Sequence, residues 1–119
     1  MNNNQILFCV SIILISVIFI AIGLFLKKYP PKEINYFYGY RSKKAMKNIE
    51  QWNYSQKKAA LELIRSGILI LISLVLVYFL PDGNYFTPYI LFLIVIITLF
   101  PYFYTVYKIE KALKKAFTN

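Results

Sequence analysis

The chain has 119 residues, 59% of them apolar, with 14 Lys or Arg against 5 Asp or Glu and no His. That length allows one domain, and an apolar share above the roughly 45–50% of soluble domains, gathered into three blocks, argues against a water-soluble globule. Without His and with Cys9 alone, the common zinc and iron sites, His-based proton transfer and an intrachain disulfide are excluded, and most enzyme classes go with them.

The first block, residues 6–26, carries no charge over 21 residues. At 1.5 Å per residue it rises roughly 31 Å, the thickness of a bilayer's hydrocarbon core. It opens on Met1, Asn2, Asn3, Asn4 and Gln5 without a basic stretch and ends against Lys27 and Lys28, so it reads as an uncleaved anchor rather than a signal peptide. Cys9, Ser16 and Gly23 recur every seventh residue and lie on one helix face, where small side chains let another helix approach.

Pro30 and Pro31 end that helix and open a loop, residues 27–59, rich in cations and aromatics. Gly39 offers a backbone that can turn with positive φ between bulky neighbours. Asn48 with Gln51 three residues on is a helix N-cap with its box partner, and Glu50 in the first turn suits the helix dipole. The second spanning helix, 60–80, is therefore expected to carry an extension before the bilayer, with Trp52 lying against the headgroups. Its charge-free core, 66–80, is only 15 residues, so Glu62 and Arg65 fall in its first turns. Three apart on one face, they can pair, or simply mark the membrane boundary. Ala59, Ser66 and Ser73 repeat the spacing of seven and are the expected partners of the first helix's small-residue face.

The third block, 85–107, is 23 uncharged residues with Pro88 in its first turn and Pro101 inside, where it should bend the helix by clashing with the Ile97 carbonyl. A basic tail, 108–119, follows. All 14 cations fall between the first two blocks or after the third, and the short connection 81–84 has none. By the positive-inside rule the N-terminus faces outward and the loop and C-terminus face the cytoplasm. The net charge of +9 is thus accounted for by anionic lipid headgroups, and no nucleic-acid partner needs invoking.

Chemistry is sparse. No glycine-rich phosphate loop, nucleophile–base pair or metal cluster is present, no cofactor is implied, and no charge lies at mid-membrane as ion-coupled transport would need. The chain is read as no enzyme. Twelve of the 14 cations are Lys; Arg41 and Arg65 are the exceptions, and an Arg in a Lys-rich chain suits a site that needs a planar fork of donors. Glu50 is the nearest acidic candidate for Arg41, the plain alternative being one more positive-inside charge.

Asn35, then Gly39, Tyr40, Arg41 and Ser42, then Met46, Lys47 and Asn48, then Glu50 and Trp52 resemble the signature of the SdpI-like family of small bacterial membrane proteins. That signature runs Asn, Gly-Tyr-Arg-Thr, a basic stretch, Ser-Met-Lys-Asn and Glu-x-Trp. The resemblance covers residues 35–56, with Ser42 in place of Thr, Ala45 in place of Ser, and Ser55 and Gln56 where Ala and Asn are common. It implies an all-α membrane protein of three transmembrane helices in the bacterial cell membrane, of a type tied to immunity against membrane-active peptides and, in some members, to signalling. On that basis two readings are carried: an immunity or sensing protein that meets a toxic peptide and presents the loop to a cytoplasmic or membrane partner, or an accessory protein that self-associates or joins a larger complex.

Overall fold

The computed structural model describes residues 1–80 and 87–118. Among them the chain is helical: α1 (Asn3–Lys28), α2 (Ile49–Ile72), a 3-10 segment (Ser73–Phe79) that continues α2, and α3 (Thr87–Ala116). All three long helices have the length and apolar character to cross a bilayer, and the chain is a multi-pass membrane protein. The connection 81–84 and Tyr85 lie outside the described residues.

Each helix end has a local cause. The Asn2 side chain accepts the Gln5 N–H at 2.9 Å while the Gln5 amide oxygen accepts the Asn2 N–H at 3.0 Å, a complete capping box that starts α1 three residues before its charge-free run. Lys27 and Lys28 sit in its last turn, where cations complement the dipole. Asn48 caps α2 by accepting the Gln51 N–H at 2.8 Å. At the other end of α2 the Ser73 hydroxyl donates to the Ile70 carbonyl, three residues back, where the helix tightens to 3-10. Pro101 lies within α3 without ending it. α3 also runs past 107 to Ala116, because Ile109 and Leu113 on its last turns are fully buried.

α1, α2 and α3 run antiparallel in turn, in an elongated body of 55 × 27 × 21 Å. The α1–α2 contact is the closest. Ser16 donates to the Gly67 carbonyl at 2.9 Å, and a Cβ at Gly67 would sit 2.5 Å from Ile20 Cγ1 and 3.1 Å from the Ser16 carbonyl oxygen. A Cβ at Gly23 would likewise come within 3.0 Å of the Ala60 carbonyl. The α1 seam thus uses Ser16 and Gly23, as the spacing of seven predicts. The α2 face is Ala60 and Gly67 instead of Ala59, Ser66 and Ser73, shifted by one residue. Ser66 turns to α3, where its hydroxyl lies 2.6 Å from that of Thr105, and Ser73 spends its hydroxyl on its own helix.

Two clusters fill the interior. One, at the end away from the loop, is wholly aliphatic and aromatic, built on Phe8, Ile12, Ile70 and Ile90. The other, at the loop end, joins Leu26 of α1, Ala59 and Ala60 of α2, Ile109 and Leu113 of α3 and Ala45 of the loop. Outward-facing Ile, Leu, Val and Phe are widely exposed along the helices while serines lie buried between them, the arrangement expected where the solvent is hydrocarbon.

Candidate functional site

The segment between α1 and α2 is tied down by polar atoms. Asn35 Oδ1 accepts the N–H groups of Phe37 at 2.9 Å and Tyr38 at 2.7 Å while its Nδ2 donates to the Glu33 carbonyl at 2.9 Å, so one side chain closes the first bend. Gly39 has φ +99°, and a Cβ there would meet Gln56 Oε1 at 2.5 Å and Pro31 Cγ at 2.7 Å. Glycine is required twice over, for conformation and for approach. That approach brings the buried Gln56 amide against the Tyr40 backbone, Oε1 accepting the N–H and Nε2 donating to the carbonyl, both at 2.7 Å. Beyond it the Ser42 hydroxyl accepts the Ala45 N–H at 3.1 Å and the Ser42 carbonyl the Met46 N–H at 3.0 Å. Gln51 Nε2 then donates to the Lys44 carbonyl at 2.8 Å, fastening the loop's end to α2.

Trp52 departs from the sequence-based expectation of a headgroup anchor. The indole is fully buried and its Nε1 donates to the Pro31 carbonyl at 2.9 Å. With its single donor satisfied inside the protein, so large an apolar surface is better held there than at an interface. Arg41 departs as well. It is exposed and, among the described residues, has no hydrogen-bond or ion-pair partner; Glu50 is exposed too, at the start of α2, and the two do not pair. The side chain that reaches across is its neighbour. Tyr40 donates its hydroxyl to Glu110 Oε1 of α3 at 2.6 Å. Burial, then the Glu110 carboxylate, push the Tyr40 phenol well above the ordinary 10. Burial raises Tyr38 in the same direction.

Glu62 and Arg65 do pair, at 2.9 Å, but they are part of a larger group. The Glu62 carboxylate is nearly inaccessible and is also approached by Lys58 at 3.4 Å and by Lys108 of α3 at 3.8 Å. Three cations compensate one buried anion, so Glu62 joins α2 to α3 and does more than mark a boundary.

α1 and α3 meet least of the helix pairs. Between them, beneath residues 38–42, lies a cleft of about 1000 Å³. Ile22 and Phe25 of α1 face Tyr102 and Val106 of α3 across it, and Tyr40, Arg41, Ser42 and Glu110 give it one polar end. The sequence singled out Arg41 and Tyr40 as motif residues; it carried no signal for the cleft or for Glu110, 70 residues from Tyr40. Among the described residues no three His, Cys, Asp or Glu side chains group as a metal site would need.

The model of the SdpI/YfhL protein family matches residues 32–105. The uncharacterized protein YfhL of Bacillus subtilis (strain 168) is 39% identical over 51 residues, which are 43% of this chain and 46% of that protein. The matched part thus spans about half the length of this relative. No solved structure matches.

Proposed function

Because the chain belongs to the SdpI/YfhL family, we propose that it is a non-catalytic immunity or sensing protein of the bacterial cell membrane. It gives resistance to a membrane-active antimicrobial peptide, with the N-terminus outside and the loop and C-terminus in the cytoplasm. The observation that carries the reading is the loop's attachment to the helices. Trp52 and Gln56 of α2 hold Pro31 and Tyr40, and Tyr40 holds Glu110 of α3. A peptide that displaces a helix within the bilayer therefore shifts the loop, and the loop is what a cytoplasmic or membrane partner meets. Such a relay needs two arrangements of one element, not a reactive group.

Expression in a peptide-sensitive bacterium tests it. The wild-type chain is expected to raise survival against at least one membrane-active peptide in a panel, and Trp52→Ala at the same membrane level to lose that protection. If wild type protects against none, the reading fails and the accessory-protein reading takes its place. A reporter fused after Asn119 checks the orientation separately: activity only outside the cytoplasm reverses it.

A further inference from the structure

The cleft between α1 and α3 is amphipathic along its length, and we propose that it binds an anionic phospholipid, with acyl chain between Phe25 and Val106 and phosphate at Arg41. This goes beyond the immunity reading and does not depend on it. Its volume of about 1000 Å³ lies at the upper end of small-molecule sites. The walls are apolar and unfilled by the protein's own side chains: Ile22 and Phe25 line the space and are 53% and 56% exposed. An apolar gap between helices that opens to a bilayer takes up hydrocarbon.

The polar end decides which lipid. Arg41 lines the cleft, is exposed, and has no partner among the described residues. It is one of two Arg among 14 cations, and a guanidinium fork matches two phosphate oxygens where an ammonium offers a point charge. The one carboxylate at this end, Glu110, also lines the cleft but has Oε1 engaged by the Tyr40 hydroxyl, and Arg41 is the one cation among the lining residues. Lys43, Lys44 and Lys47, all exposed in the same loop, raise the local concentration of anionic headgroups. A zwitterionic lipid would fill the walls equally well and gain less at Arg41.

Native mass spectrometry of the full chain in non-ionic detergent, offered phosphatidylglycerol and phosphatidylcholine with identical acyl chains in equal amounts, tests this. Wild type is expected to retain the anionic lipid over the neutral one by about fivefold, the contribution of one well-placed cation. Arg41→Ala should bring that ratio near one with loop amide protection unchanged. Lys43→Ala, which alters an equal charge outside the cleft, should keep it. Ala21→Trp, which places an indole in the gap, should lower retention of both lipids. The proposal is overturned by equal retention in wild type, by an unchanged ratio in Arg41→Ala, or by an equal loss in Lys43→Ala, which would make the attraction a property of the whole basic surface. It is also overturned if Ala21→Trp leaves retention intact, or if wild type is a dimer that this substitution dissociates, which would give the cleft to a second copy.

Discussion

The two ends of the bundle are held by different physics. Away from the loop, Phe8, Ile12, Ile70 and Ile90 pack as apolar side chains, with no charged group in the cluster. In lipid such packing has no hydrophobic drive of its own and rests on dispersion and fit. At the loop end the apolar cluster around Leu26, Ala59 and Ile109 is joined by polar, long-range contacts, from Trp52 to Pro31, Gln56 to Tyr40, Tyr40 to Glu110, and Lys108 to Glu62. That end must hold in place a segment without helical hydrogen bonds, whose backbone groups need partners if they are to be buried. The difference teaches where the molecule can open. α1 and α2 are locked by a backbone-close seam, whereas α1 and α3 are held apart beneath the loop, and the cleft lies there.

If this division is right, the largest effect comes from removing the loop's one large anchor. Trp52→Ala deletes a fully buried indole and orphans the Pro31 carbonyl; large-to-Ala changes of this kind cost about 3–5 kcal/mol. Amide exchange should accelerate across residues 29–47 while α1 and the aliphatic cluster keep their protection. Uniform acceleration along the chain would show that the two ends are one cooperative unit.

The seam gives the next test. In Gly67→Ala the new methyl group meets Ile20 Cγ1 at 2.5 Å and backbone atoms of Ile20 and Ser16 at 3.1 Å. Overpacking against backbone should cost about 1–3 kcal/mol and lower the thermal midpoint in detergent. Loop exchange should stay near its wild-type rate, the reverse of the Trp52 result.

A smaller effect belongs to Tyr40. Tyr40→Phe removes the hydroxyl that reaches the half-exposed Glu110 carboxylate, a loss of about 1.5 kcal/mol, the low end for hydrogen bonds to charged groups. The pH dependence follows from the raised phenol. The folded state holds the proton more tightly than an unfolded tyrosine, so the stabilisation is complete below pH 10 and is lost as the pH rises through the folded-state value. Wild-type loop protection should therefore fall above pH 10, and Tyr40→Phe should show a shallower fall. Some slope should persist, because burial raises Tyr38 in the same direction.

Much of the helical frame was legible because charge-free runs and capping residues are local signals. Charge-free runs set the helix count, and Asn48 with Gln51 marked where α2 starts. The seam was half legible. On α2, small residues occupy positions 59, 60, 66 and 67, two adjacent stripes with the same spacing of seven. Which stripe faces α1 is settled by the third helix, since Thr105 takes Ser66 and leaves Gly67 to Ser16. The site was legible as a motif and illegible as a geometry. Asn35 and Gly39 act within a few residues of themselves or on a neighbouring helix start, but the Tyr40–Glu110 bond joins residues that share no pattern in sequence. Sequence alone points Trp52 to the headgroups, because composition cannot tell an interfacial indole from one covered by a loop.

The smallest expected effect on stability is at Arg41, and it separates holding the loop from serving it. A guanidinium that secured the loop through Glu50 would cost a few kcal/mol to remove, of the order measured when a hydrogen-bonded charge loses its partner. Arg41 instead is exposed and, among the described residues, makes no hydrogen bond or ion pair, while the contacts that fasten this stretch belong to Tyr40, Gln56 and Trp52. Arg41→Ala should therefore change stability by less than about 0.5 kcal/mol, as surface substitutions away from buried networks do, and should leave amide exchange across residues 35–52 at the wild-type rate. Glu50→Gln should cost no more than the helix-dipole contribution of an exposed first-turn carboxylate, about 0.3–1 kcal/mol, and should likewise leave loop exchange unchanged. A loss above 1.5 kcal/mol for Arg41→Ala, the lower bound for hydrogen bonds to charged groups at about that value, would mean that the side chain finds a partner within the loop. The division between anchoring residues and the cleft-facing cation would then have to be redrawn.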